Sequence, residues 1–448
     1  MSEFFYRLKI FRQIRGVEVR AINAVTLLAI RDLRLAKPRA CMRVTCCLGP
    51  VIRYDAPKPT QHKRGSSMRL SRRNFGLSLG ALTALSACGG ASSVGGSEGW
   101  SGGLSSDLLP APNAAYDTWV ANFRGRAAGQ GISQATLASG FRGTGYLPGC
   151  VTRDRNQTEF KRSLEDYLAI AASDERISKG RAAFARHRST LQTLEGRYGV
   201  DAEIICAIWG LESFFGERRG DVPVISATST LAFDGRRGAF FEKQLVAALK
   251  IIQNGDIPAS QLTGSWAGAM GHTQFIPTSY QAFAVDFTGD GRRDIWSDDP
   301  TDSLASTAAY LQRNGWARGT KWGSEAGAGA QGRIIQPQAG GPRFAVTGNF
   351  RAIKRYNNSD AYAIGVGHLA DRIGGAGPLR ASFPPDANGL TKDDRVALQQ
   401  RLTARGFDAQ GSDGVIGPNS QKAISAYQAS KGMAVTGQPS PALLQGLR

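Results

Sequence analysis

Apolar residues recur at helical spacing through most of the chain between Tyr116 and about Ile373. Two runs show the pattern most clearly: Phe160, Leu164, Tyr167 and Leu168, and later Phe241, Leu245, Ala248, Leu249 and Ile252. Within each run the apolar positions follow the spacing i, i+4, i+7 and i+8, so they share one face of an α-helix. Gly and Pro interrupt the pattern often, which favours short helices over long coiled coils. The predicted fold class is therefore mainly α.

A second helical pattern occupies the last 60 residues. A Gly/Pro-rich stretch, G-G-A-G-P at 374–378 and F-P-P at 383–385, precedes it and is typical of an interdomain linker. The apolar positions after this linker have the spacing of three short helices: Leu398, Leu402, Phe407, Val415, Ile416, Ala423, Ile424, Tyr427, Met433, Val435, Leu443 and Leu444. We predict a small C-terminal three-helix module.

The N-terminal part of the chain has a different pattern. From Met68 the chain reads M-R-L-S-R-R-N-F-G-L-S-L-G-A-L-T-A-L-S-A-C, a basic start followed by a short apolar stretch and small residues. This is the layout of a secretory signal, and it is too short to span a bilayer as a helix. The S-R-R-N-F segment resembles a twin-arginine export signal. Residues 89–112 are rich in Gly and Ser and predict a flexible tether.

The end of this signal, L-S-A-C at 85–88, resembles a lipobox, in which the cysteine is acylated and becomes the mature N-terminus. Cys88 is thus the predicted lipid anchor, and Gly89 after it favours the outer membrane. The alternative is an ordinary signal peptide in which this cysteine is incidental. The expected localisation is the periplasm, on the outer membrane.

Charge supports this division of the chain. The 448 residues include 55 Lys and Arg against 36 Asp and Glu, a net charge of +19, which suggests a polyanionic partner such as nucleic acid. Residues 1–67 alone carry +10 and residues 68–88 carry +3, so the other 360 residues carry +6. We expect 1–67 to be upstream sequence translated by an over-long gene assignment, and a genuine basic arm is the alternative. Because most of the positive charge lies in residues 1–88, a nucleic-acid partner is not expected.

The two cysteines after Cys88 are Cys150 and Cys206. In an oxidising compartment they could pair, but two separate buried thiols fit the sequence equally well. The histidines are scattered and no CxxC pair occurs, so the sequence predicts no zinc site.

One acidic residue stands out in the middle of the chain. Glu212 is the single carboxylate in the otherwise apolar run I-I-C-A-I-W-G-L-E-S-F-F-G at 204–216. Such surroundings raise the pKa of a carboxyl toward neutrality, which suits a general acid. Taken alone, the run would equally fit a buried structural acid paired with an arginine.

Four further blocks follow Glu212 in order: S-T-L-A-F-D-G-R-R at 229–237, G-S-W-A-G-A-M-G at 264–271, Q-F-I-P-T-S-Y at 274–280 and R-Y-N-N-S at 355–359. Together they resemble the membrane-bound lytic murein transglycosylase B family over about residues 115–375. The resemblance implies a lysozyme-like helical domain with a cleft for peptidoglycan strands. Glu212 matches the family's single acid/base, which cleaves the bond between N-acetylmuramic acid and N-acetylglucosamine without water and leaves 1,6-anhydromuramyl ends.

The resemblance also implies roles for polar residues around this acid. Those matching substrate-binding positions are Ser265, Gln274, Tyr356, Asn357 and Tyr362. Hydrolases usually need a second carboxylate. Glu217 lies in a charged turn and Glu203 at a predicted helix end, so neither is a strong candidate. The family often has Asn where Ala309 stands.

Residues 286–294, D-F-T-G-D-G-R-R-D, read as the front of an EF-hand loop. Ser297 stands where the closing Glu is expected, and the resemblance implies that Asp302 supplies the closing carboxylate instead. The predicted ligands of a structural calcium ion are Asp286, Thr288, Asp290, the Arg292 carbonyl and Asp302. The alternative is an Asp/Gly-rich turn without metal. No cofactor is expected for catalysis.

The C-terminal pattern resembles a peptidoglycan-binding domain, apart from Asn419-Ser420 where a Thr is usual. The predicted domains are an extension (1–67), a signal peptide (68–88), a tether (89–112), the catalytic domain (113–375), a linker (376–387) and the peptidoglycan-binding domain (388–448). The expected protein is a monomeric, lipid-anchored enzyme acting on peptidoglycan strands. The alternatives are a hydrolytic muramidase and a non-catalytic wall-binding lipoprotein.

Overall fold

The computed structural model describes residues 103–156, 162–327, 330 and 332–448. The predicted extension (1–67), the signal peptide (68–88) with Cys88, and residues 89–102 of the predicted tether lie outside the described residues. Within the described residues, no helix has the length and apolar character needed to cross a membrane.

Helices dominate the described part of the chain, as the apolar spacing predicted. The helices up to and including the one that contains Glu212 are α1 (Ala114–Gly129), α2 (Gln134–Gly140), α3 (Pro148–Arg155), α4 (Leu164–Ala171), α5 (Asp174–Arg186), α6 (Arg188–Tyr198) and α7 (Ala202–Ser213). Those that follow are α8 (Val224–Asp234), α9 (Gly238–Gln253), α10 (Pro277–Phe283), α11 (Thr301–Arg313), α12 (Gly348–Tyr356) and α13 (Asp360–Ile373). The C-terminal helices are α14 (Lys392–Ala404), α15 (Pro418–Ser430) and α16 (Pro441–Gly446).

Five short strands lie between these helices in the part of the chain that the structure describes. The strands β1 (Val222–Pro223) and β2 (Thr263–Gly264) pair antiparallel, with Val222 opposite Gly264. The strands β3 (Gly323–Glu325), β4 (Arg333–Ile335) and β5 (Phe344–Val346) form an antiparallel sheet in the order β3-β5-β4. These pairings tie the loops between α7 and α12 to the helical core.

Helix α7 is the centre of the larger module. All of its residues except Glu203 are buried, and α5, α6, α11 and α13 pack around it. A helix that is apolar on every side must be enclosed by other helices, so the composition of the 204–213 run accounts for its central position. Glu203 lies in the first turn, as the sequence predicted.

Helix α7 ends abruptly. Phe214 and Phe215 have φ of 53° and 61°, in the left-handed region that side chains with a Cβ rarely adopt. The Phe215 ring folds back onto the helix, and a Cβ on Gly210 would lie 2.4 Å from it. The chain therefore turns sharply just after Glu212, and Gly210 provides the room for that turn.

The C-terminal module has a core of its own. Leu398 and Leu402 of α14, Ile424 and Tyr427 of α15, and Leu443 of α16 are buried together. Thr391 begins α14 in a capping box with Asp394, which satisfies backbone N–H groups at the first turn. The predicted three-helix module is confirmed.

The two cysteines in the described residues are both free and buried. They belong to different hydrophobic clusters, with Cys206 in the core around α7 and Cys150 in a smaller cluster that includes Leu231 and Phe241. Burial raises the pKa of the Cys150 thiol to about 12 and that of Cys206 further. Both are therefore packing residues with little thiolate at neutral pH.

Candidate active site

Glu212 lies in the last turn of α7 and is only 1% exposed. Its Oε1 accepts a hydrogen bond of 2.6 Å from the Tyr362 hydroxyl, although the two residues are 150 positions apart in the sequence. A buried carboxyl needs such a partner, since burial without one is costly. Tyr362 is therefore a direct neighbour of the predicted acid.

Tyr362 reaches Glu212 because α13 packs along α7. Ser359 caps the start of α13 by accepting a hydrogen bond from the Tyr362 backbone N–H. Burial, and then the nearby Glu212 charge, raise the pKa of Tyr362 well above its usual value. The phenol consequently keeps its proton and acts as the donor to the carboxylate.

Tyr356, the last residue of α12, lies on another side of the site. Its hydroxyl donates a 2.6 Å hydrogen bond to the Thr273 carbonyl, and its ring packs against Phe275 and Tyr310. Burial and then the Glu212 charge raise the pKa of Tyr356 as well. Tyr356 thus fixes the loop before Phe275 close to the acid. Asn357 follows α12 directly, and its carbonyl accepts the Ser359 N–H.

The loop between β2 and α10 contains Ser265 and Gln274, both buried. The Ser265 hydroxyl accepts from the backbone N–H groups of Ala267 and Ala269. The Gln274 amide donates to the carbonyls of Arg219 and Gly271, and Gln274 has a φ of 54°. These hydrogen bonds fix the conformation of the loop and connect it to the turn after α7.

A network that the sequence did not predict joins α7 to the same loop. The Trp209 Nε1–H donates to His272 Nδ1 at 3.1 Å, and the Ser213 hydroxyl donates to the His272 carbonyl at 2.5 Å. The other ring nitrogen, Nε2, lies 2.7 Å from the Ser297 carbonyl, to which it donates when Nδ1 accepts. Burial chiefly lowers the pKa of His272 to about 4, so the imidazole is neutral.

The positions of the partners of His272 in the chain explain why its bridging role was missed from the sequence. Its partners Trp209 and Ser297 are 63 and 25 residues away, and no local pattern links them. Gly271 before it has a φ of 69°, and a Cβ there would lie 2.2 Å from the Ile295 carbonyl oxygen. The close approach of these two backbones is what allows His272 to reach Ser297.

The other candidate carboxylates lie apart from Glu212. Glu217 is exposed and forms an ion pair with Lys179 at 2.7 Å. Glu203 is nine residues before Glu212 on the same helix, about 13 Å away along the helix axis. Neither carboxylate therefore shares the buried surroundings of Glu212.

The predicted metal loop brings its three predicted carboxylate ligands together. One carboxylate oxygen each from Asp286, Asp290 and Asp302 lies within 4.8 Å of the others. Thr288 donates its hydroxyl to Asp286, and Asp302 accepts three backbone N–H groups of the loop, those of residues 287, 288 and 294. Three like charges at this distance repel each other, and oxygen ligands of this kind are those that Ca²⁺ prefers. The donor set fits a divalent cation.

Comparison with known proteins agrees with this organisation. Residues 115–334 and 324–371 match the transglycosylase SLT domain, and residues 391–447 match a peptidoglycan binding domain. SltB3 from Pseudomonas aeruginosa is 42% identical with a TM-score of 0.59, covering 75% of this chain and 100% of that one. The soluble lytic transglycosylase SltB1 from the same organism is 33% identical with a TM-score of 0.51, covering 57% of this chain and 98% of that one.

Membrane-bound lytic murein transglycosylase B of Escherichia coli is 35% identical over an alignment of 210 residues, and the match covers 39% of this chain. The match spans 58% of the length of that curated relative. The match to the transglycosylase SLT domain covers more than half of the chain, which confirms the expected lysozyme-like helical class. The chain belongs to the transglycosylase SLT domain family and carries a peptidoglycan-binding domain at its C-terminal end.

Proposed function

We propose that this protein is a lytic transglycosylase that cleaves the glycosidic bond between N-acetylmuramic acid and N-acetylglucosamine in peptidoglycan. The observation that carries the proposal is the buried carboxyl of Glu212, which accepts a hydrogen bond from the Tyr362 hydroxyl. The nearby Glu217, in contrast, is exposed and paired with Lys179. The related SltB3 structure was solved in complex with NAG-NAM-pentapeptide, which supports this class of substrate.

In the proposed reaction, Glu212 first acts as an acid. Because Oε1 accepts from Tyr362, the acidic proton belongs on Oε2, which gives it to the bridging glycosidic oxygen as the C1–O bond breaks. The substrate's own acetamido group stabilises the developing positive charge at C1. The carboxylate then takes the proton from the muramyl C6 hydroxyl, whose oxygen bonds to C1. The product is a 1,6-anhydromuramyl end, and Glu212 regains its proton.

The choice between this reaction and hydrolysis is tested by its products. Mass spectrometry of sacculi digested with the purified protein should show muramyl ends that are one water lighter than reducing ends. A digest dominated by reducing muramic ends would establish a hydrolytic muramidase. A protein that binds sacculi without releasing soluble fragments would be a wall-binding lipoprotein.

We further propose export by the twin-arginine-like signal and lipid attachment at Cys88, which would place the enzyme in the periplasm on the outer membrane. The membrane-bound name of the Escherichia coli relative supports this assignment. The test is expression in a Gram-negative host, where Cys88→Ala should move the protein from the membrane fraction to the soluble periplasmic fraction. An unchanged membrane fraction would contradict lipid attachment at this residue.

A calcium ion held by Asp286, Asp290 and Asp302 is proposed as a structural element of the loop before α11. Adding millimolar CaCl₂ should raise the Tm of the wild-type protein, because a ligand that binds the folded state stabilises it. The variant Asp290→Asn should lose most of this shift, since an amide is a weaker ligand than a carboxylate.

The matched control is Asp408→Asn. Asp290 and Asp408 are both exposed, and each accepts a backbone N–H two residues ahead, from Arg292 and Gln410 respectively. Asp408→Asn should therefore keep the full calcium shift. Equal shifts in the wild type and both variants would exclude this site.

A further inference from the structure

A cavity of about 320 Å³ lies between the two modules of the described chain. One wall is formed by the catalytic module, including Arg162, Arg176 and Arg218, and the other by the C-terminal module, including Gln399 and Asp413. Its volume is in the range of pockets that hold small ligands. The cavity is separate from the contacts of Glu212 described above.

The catalytic wall is strongly basic. Arg176 is 6% exposed, and its Nε has no hydrogen-bond partner within the described part of the chain. Arg162 and Arg218 form no ion pair with any carboxylate among the described residues. An anion would stabilise this arrangement, because Arg176 has a buried N–H group without a partner and two further guanidinium groups line the same wall.

Two of these arginines lie over the ring of Phe214. The guanidinium groups of Arg176 and Arg218 lie 5.1 and 4.6 Å from the centre of its ring, and Lys179 lies 4.5 Å from it. Lys179 is paired with Glu217, whereas neither arginine has an ion pair with a carboxylate that the structure describes. Burial chiefly, and the Arg218 charge in addition, lower the pKa of Arg176 to about 10. Phe214 follows Glu212 by two residues, so the turn after α7 carries both Arg218 and the ring against which Arg176 lies.

The C-terminal wall is rigid and nearly neutral. The Gln399 amide donates to Ser420 Oγ at 3.0 Å and to the Val415 carbonyl at 3.1 Å, and its Oε1 accepts the Gly414 N–H at 2.8 Å. Asp413, the one acidic residue that lines the cavity, accepts the Val415 N–H. Three arginines against one aspartate leave the cavity with an excess of positive charge.

An ion cluster beside the cavity holds the two walls together. Arg395 is 3% exposed, and its guanidinium bonds Glu165 at 2.6 Å and Asp166 and Asp386 at 3.3 Å. Arg395 precedes Gln399 by one turn of α14, while Glu165 and Asp166 begin α4. The cavity is therefore preformed, which lowers the entropic cost of binding a ligand there.

We propose that this cavity between the modules binds the free carboxylates of a peptidoglycan stem peptide, a site distinct from the one that cleaves the glycan. The proposal rests on the proposed function for the choice of ligand. Arginine is suited to carboxylates because its planar fork can donate two parallel hydrogen bonds. Peptidoglycan stems that contain a diamino acid carry several carboxylates and one amine, and Asp413 offers a partner for the amine. Binding the peptide here would hold a strand beside Glu212 and raise its local concentration.

The test is calorimetric titration with a stem tripeptide that carries no sugar, L-Ala-γ-D-Glu-meso-diaminopimelic acid. The protein is the full chain carrying Glu212→Gln, and Arg162→Gln and Arg218→Gln are added to it one at a time. Each addition should raise the Kd for the tripeptide about tenfold or more, since each removes a charged hydrogen-bond donor. The matched control, Arg142→Gln, changes an exposed arginine outside the cavity and should leave the Kd unchanged.

Two results would overturn the proposal. One is a Kd for the Arg162 and Arg218 variants equal to that of the Arg142 control, with all variants showing the Tm of the parent protein. The other is displacement of the tripeptide by an equal concentration of inorganic phosphate, which would make the cavity a general anion site. Tripeptide amidated at its carboxyl groups should not bind.

The outcome is independent of the test of the proposed function. If the wild-type protein releases anhydromuramyl products but the tripeptide does not bind, only the peptide site fails. If the tripeptide binds with the expected dependence on Arg162 and Arg218 but no anhydromuramyl product forms, the reaction assigned to Glu212 fails and the peptide site stands.

Discussion

Replacing Glu212 by Gln should lower the rate of peptidoglycan cleavage by about 1,000-fold, the loss expected when a general acid–base residue is removed. An amide can neither protonate the glycosidic oxygen nor accept the proton of the C6 hydroxyl. The Tyr362 hydroxyl can still donate to the amide oxygen in place of Oε1, so the substitution should leave the fold intact. The measurement is the release of soluble muropeptides from purified sacculi, with Tm as the check on folding.

Glu217→Gln is the matched control for this experiment. It makes the same chemical change five residues later, at an exposed carboxylate paired with Lys179. A surface ion pair of this kind contributes about 1 kcal/mol or less, so activity and Tm should stay near the wild-type values. Sacculus digestion that survives Glu212→Gln would refute both the transglycosylase and the muramidase assignments to this residue.

Tyr362→Phe should lower kcat by about 10- to 100-fold, because a hydrogen bond to a charged group contributes roughly 1.5–3 kcal/mol. The substitution removes only the hydroxyl that donates to Glu212 Oε1, while the ring remains packed in the core. Without that donor the carboxylate form is less stable, so the carboxyl keeps its proton to higher pH. The descending limb of the pH–rate profile should therefore move to higher pH.

Tyr356→Phe separates this effect from general damage to the core. Its hydroxyl is equally buried but donates to the Thr273 carbonyl rather than to the acid. We expect Tyr356→Phe to lower the Tm about as much as Tyr362→Phe while leaving the pH–rate profile in place. If both variants shift the profile equally, or neither does, a specific role of the Tyr362 hydroxyl in the protonation of Glu212 is excluded.

The position of the acid could be predicted from sequence because the information is local. A run of apolar residues with a single carboxylate implies a buried helix that carries one acid, and α7 is that helix. The D-F-T-G-D-G segment likewise predicted that Asp286 and Asp290 lie close together, because loop geometry is set by nearby glycines. The contribution of Asp302 to this cluster came from the family resemblance, since it lies on the next helix.

The ion cluster beside the cavity between the modules could not be predicted from the sequence. Arg395 and Glu165 are 230 residues apart, and each has the appearance of an ordinary surface residue in its own helix. A buried ion cluster is stable only when several chain segments supply its partners together. The pattern of residues around Arg395 or Glu165 does not indicate which distant residue will form an ion pair with either one.

By itself the sequence determined the helical class, the two modules, the buried carboxyl at Glu212 and the division of the +19 charge between an N-terminal stretch and the rest. These features depend on periodicity, composition and short motifs, which are properties of neighbouring residues. Only the tertiary structure decided that Tyr362 donates to Glu212, that His272 joins Trp209 to Ser297, and that three arginines face the C-terminal module. The physical reason is that hydrogen bonds and ion pairs act over a few ångströms in space, and folding sets those distances between residues far apart in the chain.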